Sequence, residues 1–64
     1  MSEVQIGHRP LLLRPEEAAE LLRIGRTAVF GLIRAGELRS VKIGKLRRIP
    51  ADALHEYVTG LVGG

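Results

Sequence analysis

The sequence predicts a mainly α-helical domain with one small β-hairpin, in the order helix, helix, hairpin, helix. Three observations carry that prediction. Two segments with apolar residues at helical spacing, 15–22 and 26–35, are joined by a turn containing Gly25. A basic stretch with strand-like alternation then folds at Gly44-Lys45. A last helical segment follows Pro50. With 64 residues the chain has room for one domain, and it has no cysteine to supply a disulfide or a thiolate metal ligand. A chain of this length buries only about 60% of the surface it exposes when unfolded, so a thin core is expected.

Residues 1–10 show no period and read as a flexible arm, with a short extended piece at Val4–Ile6. The ordered domain is expected over 11–59, and 60–64, with three glycines, reads as a flexible tail. Pro15 suits the first position of a helix, where its missing N–H has no helical acceptor. Glu16 and Glu17 follow in the first turn, where the helix dipole favours negative charge. Ala18, Leu21 and Leu22 form an apolar stripe with Ala19 beside it, whereas Arg14 is a poor N-cap and predicts a frayed first turn. Gly25 is a permissive residue for the connecting turn. In the second helix Val29, Leu32 and Ile33 recur at i, i+3 and i+4, and Gly36 suits a left-handed cap. Two helices joined in this way make a helix-turn-helix arrangement. Among the apolar residues Leu38, Val41, Ile43 and Ile49, the runs Val41–Ile43 and Leu46–Ile49 read as two strands, the second ended by Pro50. The final helix is expected over 51–59, with Leu54, Tyr57 and Val58 on one face.

The net charge is only +3, but it is unevenly placed. Residues 23–48 hold Arg23, Arg26, Arg34, Arg39, Lys42, Lys45, Arg47 and Arg48 against a single acid, Glu37; that segment is +7 and the remainder −4. Such polarisation points to a polyanion at the central segment rather than to a merely solvated basic face. The longest apolar run, Leu11–Leu13, is far short of the ~20 residues of a membrane span, and 1–10 has no signal-peptide core. A cytoplasmic protein without a membrane partner is expected. No carboxylates at ligand spacing join His8, in the arm, or His55, on the outer side of the last helix. Glu16, Glu17 and Glu20 serve a helix end and the surface, and Tyr57 shares an apolar face with Leu54 and Val58, as a core residue rather than a nucleophile. A body this small leaves little room for a catalytic cleft. The sequence therefore predicts no enzyme, no cofactor and no metal.

The chemistry concentrates on the second helix and the hairpin. Turning Val29, Leu32 and Ile33 inward leaves Arg26, Thr27, Phe30, Gly31 and Arg34 outward. A major groove about 12 Å wide admits one helix, whose N-terminal residues meet base edges. Arg26 suits guanine O6 and N7, and Thr27 a base or phosphate. Phe30 has two readings, packing on a sugar or thymine methyl and packing in the core under the hairpin. A mid-helix glycine costs about 1 kcal/mol relative to alanine, so Gly31 either admits a close approach of DNA or is unselected. On the hairpin, Lys42, Lys45, Arg47 and Arg48 suit phosphates along the backbone or in a minor groove.

The segments PEEAAELL, TAVFGLIRAGEL, VKIGKLRRIP and ALHEYV, in this order and spacing, resemble the excisionase-type, MerR-like winged helix-turn-helix family. The resemblance covers about three-quarters of the chain. It implies a second helix that reads the major groove and a wing that follows the adjacent minor groove. It also implies the role of a recombination directionality factor: such proteins bind attachment sites cooperatively, bend DNA and bias an integrase towards excision. By position, the DNA-facing residues it implies are Arg26, Thr27, Phe30 and Arg34 on the helix and Lys42, Lys45 and Arg48 on the wing. The chain departs from the usual pattern at Arg14, Gly25, Gly31 and Arg47.

The expected partners are double-stranded DNA, an integrase and further copies of the chain stacked head to tail on DNA, which would place the protein on the nucleoid. Two other readings stand beside the excisionase. One is a small transcription regulator with the same domain, disfavoured because little chain remains for an effector pocket or a long dimerisation helix. The other is an interaction module such as an antitoxin, with Tyr57–Val62 as its binding element.

Overall fold

The computed structural model describes residues 11–63. The arm 1–10, with its extended piece and His8, and the terminal Gly64 lie outside the described residues. The elements are β1 (Leu12–Leu13), α1 (Pro15–Leu22), α2 (Arg26–Arg34), β2 (Val41–Ile43), β3 (Leu46–Pro50) and α3 (Ala51–Gly63). This is a mainly helical fold with a small antiparallel hairpin, a winged helix-turn-helix.

Both helices of the helix-turn-helix end in the same hydrogen-bonded motif. At the end of α2 the Glu37 N–H donates to the Leu32 carbonyl and the Gly36 N–H to that of Ile33, with Gly36 at φ 79°. At the end of α1 the Ile24 N–H donates to Ala19 and the Arg23 N–H to Glu20. These are Schellman closures, and each needs one left-handed residue. In the α1–α2 turn that residue is Arg23, at φ 61°, whereas Gly25 is extended at φ −77° and serves as the N-cap of α2. The permissive glycine expected from the sequence is thus two residues away from where the left-handed backbone falls. The first turn of α1 is tied down in part: the Arg14 N–H donates to Glu17 Oε1 at 2.8 Å, the glutamate half of a capping box, while no side-chain cap bond is made by Arg14.

The hairpin closes at Gly44-Lys45, with Gly44 at φ 62°, as the first central residue of a type II′ turn requires. The β3 strand is central in the sheet order β1-β3-β2. Its first three residues pair with β2 and its last two with β1, through Leu13 opposite Ile49 and Leu12 opposite Pro50. Pro50 ends the strand as expected, but as its last paired residue rather than as the residue after it. Its missing donor is made good one residue later, where the Ala51 N–H reaches the Leu11 carbonyl at 3.0 Å.

The core is thin, as the length dictates. Its fully buried members are Val29, Leu38 and Ile49 together with Ala18, and Leu13, Ala19, Ala53 and Leu54 surround them. Leu22, Leu32, Ile33 and Tyr57 pack against this cluster. Leu21 is 64% exposed and Ala19 takes its place on the inner face. Val41, Ile43 and Val58 are likewise exposed rather than core. The last helix continues past the expected end at Thr59 to Gly63. Extending a formed helix adds one hydrogen bond per residue fixed, so propagation carries α3 through Gly60 despite the glycine penalty.

Candidate nucleic-acid interface

Two surfaces carry the basic side chains, the outer side of α2 and the β2–β3 wing. On α2, burial of Val29 leaves Arg26, Thr27 and Arg34 exposed and Phe30 and Gly31 half-buried. The helix opens on Gly25, without a side-chain cap and without an acid in its first turn. Its first N–H groups thus lack intrahelical acceptors and face the same end as Arg26 and Thr27.

Arg26 is more tightly held than its exposure implies. Its Nε lies 3.3 Å from Glu16 Oε2 in α1, and its guanidinium carbon lies 4.8 Å from the centroid of the Phe30 ring, one turn along α2. The ion pair is solvent-exposed on both sides, so it adds little to stability. What it supplies is orientation, because an edge contact and a face contact together restrict a planar group. The Glu16 carboxyl is held below the ordinary carboxylate range by a backbone hydrogen bond and by the Arg26 guanidinium, with Arg14 adding to it. Phe30 is absent from the core cluster and instead forms the platform beneath Arg26. A Cβ added at Gly31 would meet nothing within 4 Å, so no packing within the fold requires glycine there.

The wing divides its cations between two faces. Lys42 is opposite Arg47 and Val41 opposite Arg48. Side chains alternate across a strand, which places Lys42 and Arg47 on the face of the buried Ile49, and Arg48 with Val41, Ile43 and Leu46 on the other. Lys45 stands at the tip. Arg47 is half-buried and donates from Nη1 to Ser40 Oγ at 3.1 Å, while Arg48 Nη1 donates to the Arg47 carbonyl at 2.9 Å. The pairing of two cations, Lys42 and Arg47, directly across the ladder is unfavourable in isolation.

The structure thus brings Arg26 and Phe30 together at one end of α2, and it spreads the four wing cations around the hairpin instead of on one surface. Two features escaped the sequence reading. Arg39 is drawn from the basic set onto α3, its Nε and Nη2 lying 3.3 and 3.1 Å from Glu56 Oε1. Glu16, read as a helix-end acid on a flank, sits at the start of α2 instead. Its place ten residues from Arg26 carries no local signal; only the packing of α1 on α2 joins them. Among the described residues no helix is long and apolar enough to cross a membrane.

A family model described as "Helix-turn-helix domain" matches residues 12–61. A protein of Saccharopolyspora erythraea named "Probable excisionase" is 48% identical over 52 residues, covering 81% of this chain and 53% of that protein. A protein of Streptomyces ambofaciens named "Excisionase" is 39% identical over 54 residues, covering 84% of this chain and 87% of that protein. The chain therefore spans about half the length of the first relative and most of the second. No solved structure matches it. With the fold, the order of its elements and these relatives in agreement, the chain belongs to the excisionase-type helix-turn-helix family.

Proposed function

We propose that this protein binds double-stranded DNA sequence-specifically and acts as an excisionase, binding attachment-site DNA cooperatively, bending it and directing an integrase towards excision. The observation that carries the reading is the match to the Streptomyces excisionase, which spans most of both chains. The helix α2 enters the major groove, with Arg26 and Thr27 at base edges, Arg34 on a phosphate, and Phe30 and Gly31 against the groove wall. The wing lies in the adjacent minor groove. A groove has phosphates on both walls, and a ribbon with Lys42 and Arg47 on one face and Arg48 on the other meets both, with Lys45 at its tip. A polyanion also relieves the repulsion between Lys42 and Arg47. Copies stack head to tail on repeated sites, and the protein works in the cytoplasm on nucleoid DNA. It acts by binding and shaping DNA, and the covalent chemistry belongs to the integrase.

Two measurements test this. Affinity for duplex DNA falls linearly with log salt, with a slope of roughly −0.9 for each phosphate neutralised. Excision of the host element falls when the protein is deleted and returns on complementation. Duplex binding with normal excision in the deletion strain supports the transcription regulator instead. Absence of duplex binding at low salt supports an interaction module.

A further inference from the structure

We infer that Glu16, on the first helix, is a positioning residue for base recognition: it holds Arg26 against the Phe30 ring so that the guanidinium presents its terminal fork to guanine and is withheld from phosphates. The inference rests on the proposed DNA-reading role of α2 and deepens it. An arginine has two bidentate edges, one formed by Nε with a terminal nitrogen and one formed by the two terminal nitrogens. Glu16 occupies the Nε side at 3.3 Å. The Phe30 ring covers one face at 4.8 Å. The edge left over is the fork that matches the O6 and N7 acceptors of guanine in the major groove.

The same contact has a second consequence. A carboxylate beside the guanidinium neutralises the charge that a phosphate would otherwise attract, and it is itself repelled by the backbone. On DNA of unrelated sequence Arg26 then adds little to binding, because its charge is already matched. At a guanine, the bond is made by geometry, through the terminal fork that Glu16 leaves free. One acid thereby lowers non-specific affinity while fixing the orientation in which the fork meets a base, which raises the ratio a site-specific binder needs among a large excess of wrong sites. Glu17 takes the Arg14 N–H at the start of α1, and Glu16, besides its backbone hydrogen bond, is the acid that reaches Arg26.

The test uses the full chain and three kinds of duplex: one recovered by the wild-type protein from a randomised pool, the same duplex with each guanine replaced in turn, and one of unrelated sequence. Wild-type protein is expected to discriminate roughly tenfold to a hundredfold at one guanine. Glu16→Gln is expected to reduce that ratio to about threefold or less, to bind the unrelated duplex several-fold more tightly, and to steepen its salt slope by up to about 0.9. In an Arg26→Ala background Glu16→Gln is expected to leave the base preference unchanged, since the residue acts through Arg26. Matching thermal melts of the variants and the wild type exclude a folding effect, and Glu16→Asp, which keeps the charge but shortens the reach, is expected to lose discrimination while keeping the wild-type salt slope. If Arg26→Ala erases the guanine preference and Glu16→Gln does not alter it, the positioning role is overturned. If Arg26→Ala itself leaves every base preference intact, the reading of α2 as the recognition element falls with it.

Discussion

The helix α2 and the wing are both basic, yet they hold their charge in opposite ways. On α2 the leading cation is braced on two sides, by a carboxylate from another helix and by an aromatic ring one turn away. On the wing the cations are spread over both faces of a ribbon, two of them facing each other across the ladder, with exposed Ile43 and Leu46 flanking the turn. Bracing suits a group that must meet a base in one orientation. Distribution suits groups that need only stay near phosphates, since a charge tolerates a few ångströms of play and a bidentate hydrogen bond does not. On the proposed reading, selectivity and affinity fall to different elements.

The largest expected effect comes from separating the two elements mechanically. Ile49 is fully buried, opposite Leu13, and it ends the stretch of β3 that carries Arg47 and Arg48. Ile49→Ala is expected to destabilise the fold by about 2–5 kcal/mol. A domain of this size has only about 3–10 kcal/mol in all, at ~0.05–0.15 per residue, so urea unfolding should show a sharp fall or complete loss of the cooperative transition. A loss below about 1 kcal/mol would mean that the wing is not anchored through this residue.

Next in size is Arg26→Ala. It is expected to cost about 1–3 kcal/mol at the cognate sequence and to leave binding to unrelated DNA nearly unchanged, because the Glu16 carboxylate already offsets that charge. Arg48→Ala should behave in the opposite way. It weakens all sequences alike and reduces the magnitude of the salt slope by about 0.9. Salt-titrated binding isotherms of the two variants on cognate and unrelated duplexes decide the matter: identical profiles would erase the division between helix and wing.

How far this division was legible depends on whether the signal is local. The bounds of α1, the two-residue turn at Gly44-Lys45 and the cap at Gly36 follow from period and from glycine and proline chemistry, and the structure has them where those signals lie. The β1 strand escaped because two residues carry no period, and Leu12 and Leu13 become a strand only when β3 offers an edge. Leu21 and Ala19 exchanged places because a helix of eight residues fits two neighbouring stripes, and only packing on α2 selects one. Arg23 in the left-handed turn runs against residue preference, which a Schellman closure tolerates when its two hydrogen bonds form. The site shows the same limit. Which residues are basic on α2 and the hairpin is plain from the chain, but the hold of Glu16 on Arg26, the diversion of Arg39 to Glu56 and the split of the wing cations between faces all depend on residues distant in sequence.

Gly31 offers the finest probe of the comparison, because it separates what folding wants from what binding wants. It lies in the interior of α2, one turn from Thr27, and a methyl group there meets no atom of the protein. Helix propensity alone favours alanine by up to about 1 kcal/mol, so Gly31→Ala should raise stability in urea unfolding by about 0.5–1 kcal/mol. If α2 lies in a groove with its backbone near the bases, the same methyl meets DNA, and cognate affinity should fall while the salt slope stays constant, since no charge has changed. Stability and affinity moving in opposite directions in one variant would place the glycine at the reading face for the sake of contact with DNA. Stability rising with affinity unchanged would move the close approach away from the middle of α2, and leave base recognition to its first turn, where Arg26 is braced.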